Sequence, residues 1–285
     1  MASLDLWSSS THANGTIIGK TFEGHDIPVY KISTGADVAK QALVGQSLIH
    51  AREWQSGASV FYNISGLLDA LRANDPRVVA IFNQYDWYFV PILNIDGYDF
   101  TWTDPPSRRL WRKNRRTFTV GENQFVGVDL NRNFGPTEFF DLAGDTKRPN
   151  SEVYPGTGVL SEPESAAVFQ FLRALPNKLA GLIDAPEPYQ TKLTTLGEAM
   201  RLAIEEGSSL TYRNVMGGTG SYLAYGTFKD AVFAECGFAA AFTLELERTD
   251  GGFITSQTTI RDVGRRTLAA FLAFSDGVGE YWSTG

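Results

Sequence analysis

The stretch "ALVGQSLIHAREWQSG", residues 42–57, decides the fold. Residues 42–49 are apolar or β-branched for the most part, which predicts a strand buried on both faces. Directly after it, "GASVFYNISGLLDALRAND" (57–75) repeats its apolar residues at helical spacing and stops before Pro76, predicting a helix. Strand, polar cluster and helix in that order are the building unit of an α/β sheet, and such sheets bind ligands beyond the carboxyl ends of their strands. His50, Arg52 and Glu53 stand at that end. The three-residue separation of His50 and Glu53 suits two ligands of one metal ion, although an isolated HxxE is common by chance. A catalytic zinc takes about three protein ligands and a water. The chain has only three histidines, His12, His25 and His50.

Outward from this unit the alternation continues. "IPVYKIS" (27–33), "DWYFVPILN" (86–94), "LAGLID" (179–184) and "AAAFTLELE" (239–247) are expected strands. "SEPESAAVFQFLRAL" opens with Ser161 and Glu164 in capping-box register and continues as a helix. Further helices are expected over 192–207, ending at Gly207, and over 261–278, with a turn at "NIDGYD" after the third strand. Few hairpin signals separate these elements, so a mostly parallel or mixed sheet covered by helices is expected. No repeat or low-complexity linker divides residues 1–285, which reads as a single domain.

Composition narrows the function. The net charge of −7 argues against a general nucleic-acid binder. No run reaches the ~18 apolar residues a membrane span requires. The N-terminal "MASLDLWSSSTHANG" lacks the basic and apolar regions of a signal peptide. Cys236 is the single cysteine, so no disulfide forms within a monomer; in "VFAECGFAAAF" it reads as a small buried hydrophobe rather than a nucleophile. "GGTGSYLA" lacks the lysine and the context of a phosphate loop.

Other polar groups fall where chemistry is plausible. Asp184 ends an apolar strand, and Glu245 and Glu247 alternate with apolar residues so that both point to one face. "SRRLWRKNRR" (107–116) carries six basic residues in ten. Such a run is usually a solvated face, but in an acidic protein clustered arginine also suits a substrate carboxylate. "GVDLNRNF" (127–134) follows, with Arg132 between two asparagines.

Taken together, "IGKTFEGHDIPVYKIS", "IHAREW", "NIDGYDFTW", "RLWRKNRR", "GVDLNRNF" and "FTLELE" resemble, in order and approximate spacing, the zinc metallocarboxypeptidases of the carboxypeptidase A/B type. The resemblance runs from about residue 18 to about 274. It implies a three-layer α/β/α fold around a mixed eight-stranded sheet, a Zn2+ cofactor, and removal of C-terminal residues from peptides. It makes His50 and Glu53 zinc ligands, Arg112 the group that meets the oxyanion, and Glu245 the general base. Asn131 and Arg132 would hold the substrate's terminal carboxylate and Arg52 would assist along the cleft. Tyr212 lies near the place of the tyrosine that closes over substrate, one residue further from the glycines than in the family. The position that selects the terminal side chain falls at Gly220 or Ser221, both uncharged, so neutral or aromatic residues are expected there. The implied partners are peptides or proteins with a free C-terminus, with no nucleic acid and no membrane, and the protein is expected to be a monomer. Relatives of this type imply secretion, while the absence of a visible signal peptide or prosegment leaves a cytoplasmic location open.

One element is missing. The family's third ligand is a histidine in a stretch resembling "DFHSYSQ"; here "DAPEPYQ" places Asp184 on the aspartate and Gln190 on the glutamine but Pro186 on the histidine. Proline has no ligand atom in its side chain. Glu187 is the nearest substitute, with Asp184 behind it, both weak candidates, since carboxylates can bind zinc in a His-Glu-Glu set. The loop is also shorter than the family's. Two explanations stand: a pseudoenzyme that binds peptide C-termini through Arg132 and Asn131, or a competent enzyme that has lost a segment, which the abrupt shortening favours.

Overall fold

A computed structural model of the protein describes residues 12–35, 40–142, 147–175, 189–215, 224–236, 240, 242–246 and 252–283. The strands β1 (Ala13–Lys20), β2 (Asp26–Ile32), β3 (Gln41–Gln46) and β4 (Tyr85–Val90) form a sheet in the order β1-β2-β4-β3. Only β3 and β4 are parallel, joined through α1 (Trp54–Arg72) and α2 (Pro76–Gln84); the other neighbours are antiparallel, so the sheet is mixed. β4 stops at Val90 because Pro91 has no N–H for the ladder. α1 begins three residues before the expected start, at Trp54, immediately after Glu53. "NIDGYD", expected as a turn, is the short helix α3 (Ile95–Phe100), whose first turn is capped by Asn94 Oδ1 accepting from Gly97 N.

Period-two alternation places the two faces of the sheet in two cores. Leu43, Trp87 and Phe89 face α1, α2, α6 (Tyr189–Glu205) and the C-terminal helix α8 (Ile260–Ser283). After the short α4 (Thr137–Asp141), α5 (Pro163–Ala174) and α7 (Phe228–Glu235) cover the face that carries Val44, Tyr88 and Val90. Helices therefore cover both faces. Glycine lets the central strands close up: a Cβ on Gly45 would lie 2.8 Å from the Phe89 ring and 3.0 Å from Phe271. α1 and α8 interlock in the same way, Gly66 against Leu268 and Gly264 against the Tyr62 ring.

α2 was not expected, although Asp75-Pro76 announces it. Asp75 Oδ1 accepts from the N–H groups of Arg77 and Val78 at 3.0 and 3.1 Å, and Pro76 fills the first helical position. Asp75→Ala is therefore expected to lower stability by about 1 kcal/mol. A matching fall in the urea midpoint would show this, and an unchanged midpoint would refute the cap.

Several expectations are corrected. The capping box at 161–164 does not form. α5 starts at Pro163, the Ser161 hydroxyl donates to Glu162 Oε1, and buried Glu164 turns away to accept from Phe22 N. The hairpin β5 (Thr117–Val120) and β6 (Asn123–Val126), directly after the basic run, was not expected. Residues 242–246 are not a strand: the alternation is present, with Phe242, Leu244 and Leu246 half-buried and Thr243 and Glu245 exposed, but no ladder partner lies beside them among the described residues. The expected strand 179–184 lies outside the described residues, and among the described residues the sheet has four strands.

Candidate active site

The end of β3 places the first candidate ligands. Past the strand the chain stays tied to the segment after β4: Ser47 N donates to Val90 O, Leu93 N to Ser47 O and Asn94 N to Leu48 O. Asn94, fully buried, adds side-chain bonds from Nδ2 to Ile49 O at 3.3 Å and Arg112 O at 3.4 Å, and Ala51 N donates to the same Arg112 carbonyl. The backbone on either side of His50 is thereby registered to the backbone of Arg112, 62 residues later in sequence.

His50 is almost enclosed, and its two ring nitrogens have different partners. Nδ1 lies 2.7 Å from Glu53 Oε1, and Nε2 lies 3.2 Å from Asp129 Oδ1. Asp129 is completely buried and accepts a two-pronged contact from Arg112, Nε at 3.0 Å and Nη2 at 2.7 Å, both to Oδ2. Its Oδ1 also accepts from Asn131 N at 2.9 Å. Burial alone would drive the Asp129 carboxyl upward, but His50 and then Arg112 and Arg132 outweigh it and hold it well below the usual carboxylate range. Burial likewise favours the neutral His50 ring, yet Asp129 and Glu53 prevail and raise its pKa. The site is built to favour positive charge between carboxylates.

Sequence reading missed Asp129. The signal was its place in "GVDLNRNF", two residues before Asn131, but its role depends on a ring 79 residues away. A carboxylate on the far nitrogen of a histidine is the arrangement that fixes a metal-binding imidazole. His50 Nδ1 and Glu53 Oε1 are close enough to share one ion, so the donor set fits two zinc ligands.

A cavity of about 530 Å³ is lined by His50, Glu53, Arg112, Asn131 and Glu245. Five of the sequence-predicted residues thus share the wall of one cavity, which also reaches the aromatic core at Trp87 and Phe274. The structure does not bring the other three onto that wall. Arg132 is only 5% exposed, with Nη1 donating to Asn131 O. Arg52 lies over the Phe253 ring and donates to Leu110 O. Tyr212 is held at the end of α6, its N–H bonded to Glu205. Asp184, Pro186, Glu187, Gly220 and Ser221 lie outside the described residues.

No third donor converges on His50 and Glu53 among the described residues. The set that does converge is Glu23, His25 and Asp96, with donor atoms within 4.8 Å of one another. There Asp96 already accepts from Thr21 Oγ1 and Glu23 N and faces the His25 ring, so its oxygens are engaged in protein bonds.

The basic run is accounted for by internal contacts. Arg108 and Arg115 lie over Phe100, and Arg109 lies over Trp54 while donating to Arg52 O and Phe253 O. Lys113 donates to Ser151 O and Arg116 to Ser161 O and Glu162. It is not a solvated face; it ties neighbouring loops together.

A family model described as zinc carboxypeptidase matches residues 9–270. The chain belongs to the zinc carboxypeptidase family. Rat carboxypeptidase B2 is 31% identical over 271 residues, covering 89% of this chain and 62% of the relative. The chain therefore spans about three-fifths of that relative's length. Bovine carboxypeptidase O is 30% identical over 94% of this chain and 74% of its own length. The structure of bovine thrombin-activatable fibrinolysis inhibitor, solved with a tick carboxypeptidase inhibitor, superimposes with a TM-score of 0.80 at 27% identity, over 95% of this chain and 91% of that one. Family membership implies a Zn2+ cofactor. No described helix is long and apolar enough to cross a membrane.

Proposed function

We propose that this zinc carboxypeptidase-family protein binds the C-terminal end of peptides in the cavity beside His50, and that the lack of a third ligand at Pro186 impairs its hydrolysis of the terminal residue. The observation that carries the reading is that His50 and Glu53, with buried Asp129 behind the other ring nitrogen, line the same cavity as Arg112, Asn131 and Glu245. His50 and Glu53 would hold zinc, which when bound polarises the scissile carbonyl and acidifies water. Arg112, anchored by Asp129, stands ready to donate to an oxygen that gains negative charge. Glu245, on the exposed side of its segment, takes a proton from the attacking water and returns it to the leaving amine. Asn131 and Arg132 receive the terminal carboxylate, which requires Arg132 to turn outward from its buried position.

Neutral or aromatic terminal residues fit the absence of charge at Gly220 and Ser221. A secreted, monomeric, one-domain protein with the full eight-stranded sheet is the form this reading expects. The second reading, a pseudoenzyme holding peptide C-termini without cleaving them, is favoured by the lack of a third donor beside His50 and Glu53 among the described residues.

Calorimetry with a peptide acid and its amide tests the binding. The acid should bind and the amide should not; equal affinities would refute it. Metal analysis after purification without chelator should find zinc well below one per chain, and His50→Ala should remove what remains. Stoichiometric zinc with brisk turnover would refute the impairment.

A further inference from the structure

The turn between β1 and β2, residues 21–25, is fastened to the body of the molecule by two enclosed carboxyl groups. Asp96, at the start of α3, accepts from Thr21 Oγ1 at 2.5 Å and from Glu23 N at 2.8 Å, and its Oδ1 lies 2.8 Å from His25 Nδ1. Glu164, in the first turn of α5, accepts from Phe22 N at 2.9 Å and from Asn114 Nδ2 at 3.2 Å. Asp96 and Glu164 are 1% and 0% exposed, whereas the His25 side chain is 31% exposed and open to protons.

The charges around this knot are mostly negative, and Lys20, whose Nζ reaches Gly24 O at 3.5 Å, is itself paired with Asp26 at 2.6 Å. Glu23 and Asp99 face it from the turn and from α3. Glu162 shares the Asn114 amide at 2.8 Å and is itself paired with Arg116 at 3.3 Å. Arg115 reaches Glu23 only at 4.0 Å. His25 is the one basic residue in the turn sequence "TFEGH".

We propose that this knot is a pH-operated clasp, holding the β1–β2 turn against α3 and α5 in acid and loosening through neutrality, as His25 loses its positive charge and Glu164 gains a negative one. The two groups act in the same direction. The hydrogen bond to Asp96 raises the His25 pKa above 6.5, against the opposing effect of burial. Its stabilising contribution is complete below 6.5 and is lost as pH climbs through the raised value. Burial, with Asp96 adding to it, pushes the Glu164 carboxyl from 4.5 up to about 7. Its contribution is complete below 4.5 and disappears as pH rises through about 7. None of the clasp's residues lines the cavity beside His50, so it stands whether or not the chain binds peptides.

Thermal unfolding and amide exchange of the full chain between about pH 5 and pH 8 test it. The midpoint should fall by roughly 2–4 °C or more across that range. Exchange at Phe22 and Glu23 should quicken before exchange in β4. His25→Arg keeps a cation on the turn at every pH and should remove the upper part of the decline. Glu164→Gln stays neutral and should remove the lower part, and the double variant should be flat. If both single variants keep the wild-type decline, or if the turn and β4 exchange in parallel, the clasp is wrong.

Discussion

Replacing Asp129 by alanine is expected to cost about 3–5 kcal/mol of stability, the usual penalty for removing one partner of a buried charged group. Three connections end on this carboxylate: the far nitrogen of His50, both prongs of Arg112 and the N–H of Asn131. With it gone, burial would dominate the His50 ring and its pKa should fall, which NMR titration reads directly. Asp129→Asn keeps the shape and separates charge from packing. It should preserve most of the stability but lower the affinity for whatever zinc the site takes by about 10–100-fold, as loss of an outer partner does elsewhere. A stable Asp129→Ala variant with an unchanged His50 would remove the central pillar of the site described above.

The second large effect is expected in the core. Phe89 is completely buried, stacked on Trp87 at 5.1 Å between centroids and against Phe271 at 6.1 Å, with Gly45 pressed to its ring. Phe89→Ala should cost about 3–5 kcal/mol, because rigid neighbours on three sides limit collapse into the space. Urea unfolding should show a lower midpoint with the same slope. A loss under about 1 kcal/mol would mean the sheet and α8 are not packed as described.

Much of this was legible in the sequence for reasons that are local. The apolar runs of β2, β3 and β4 and the spacing of α1 carry their own periodicity, and HxxE shows its geometry in four residues. Long-range dependencies were less visible. Asp129 belongs to the site only because the fold delivers it to His50, and Glu164 left its predicted cap because Phe22 offered a bond across 142 residues. The β5–β6 hairpin did have a local signal, Gly121-Glu122 with Gly121 at φ 62°, but the charged run beside it drew the reading toward electrostatics. Over 242–246 the alternation expected of a strand specifies a face, while a strand also needs a neighbour, and none lies beside it among the described residues.

The position of α8 in the chain has a consequence for how the protein is made. Phe271 covers Trp87 and Phe89 from a helix that begins at Ile260, some 170 residues after the strand it protects. At about 5–20 residues per second, a ribosome leaves that aromatic face uncovered for roughly ten to thirty-five seconds. Nascent chains arrested before residue 260 should therefore expose Trp87 and recruit holding chaperones, and release of the finished helix should end their stay.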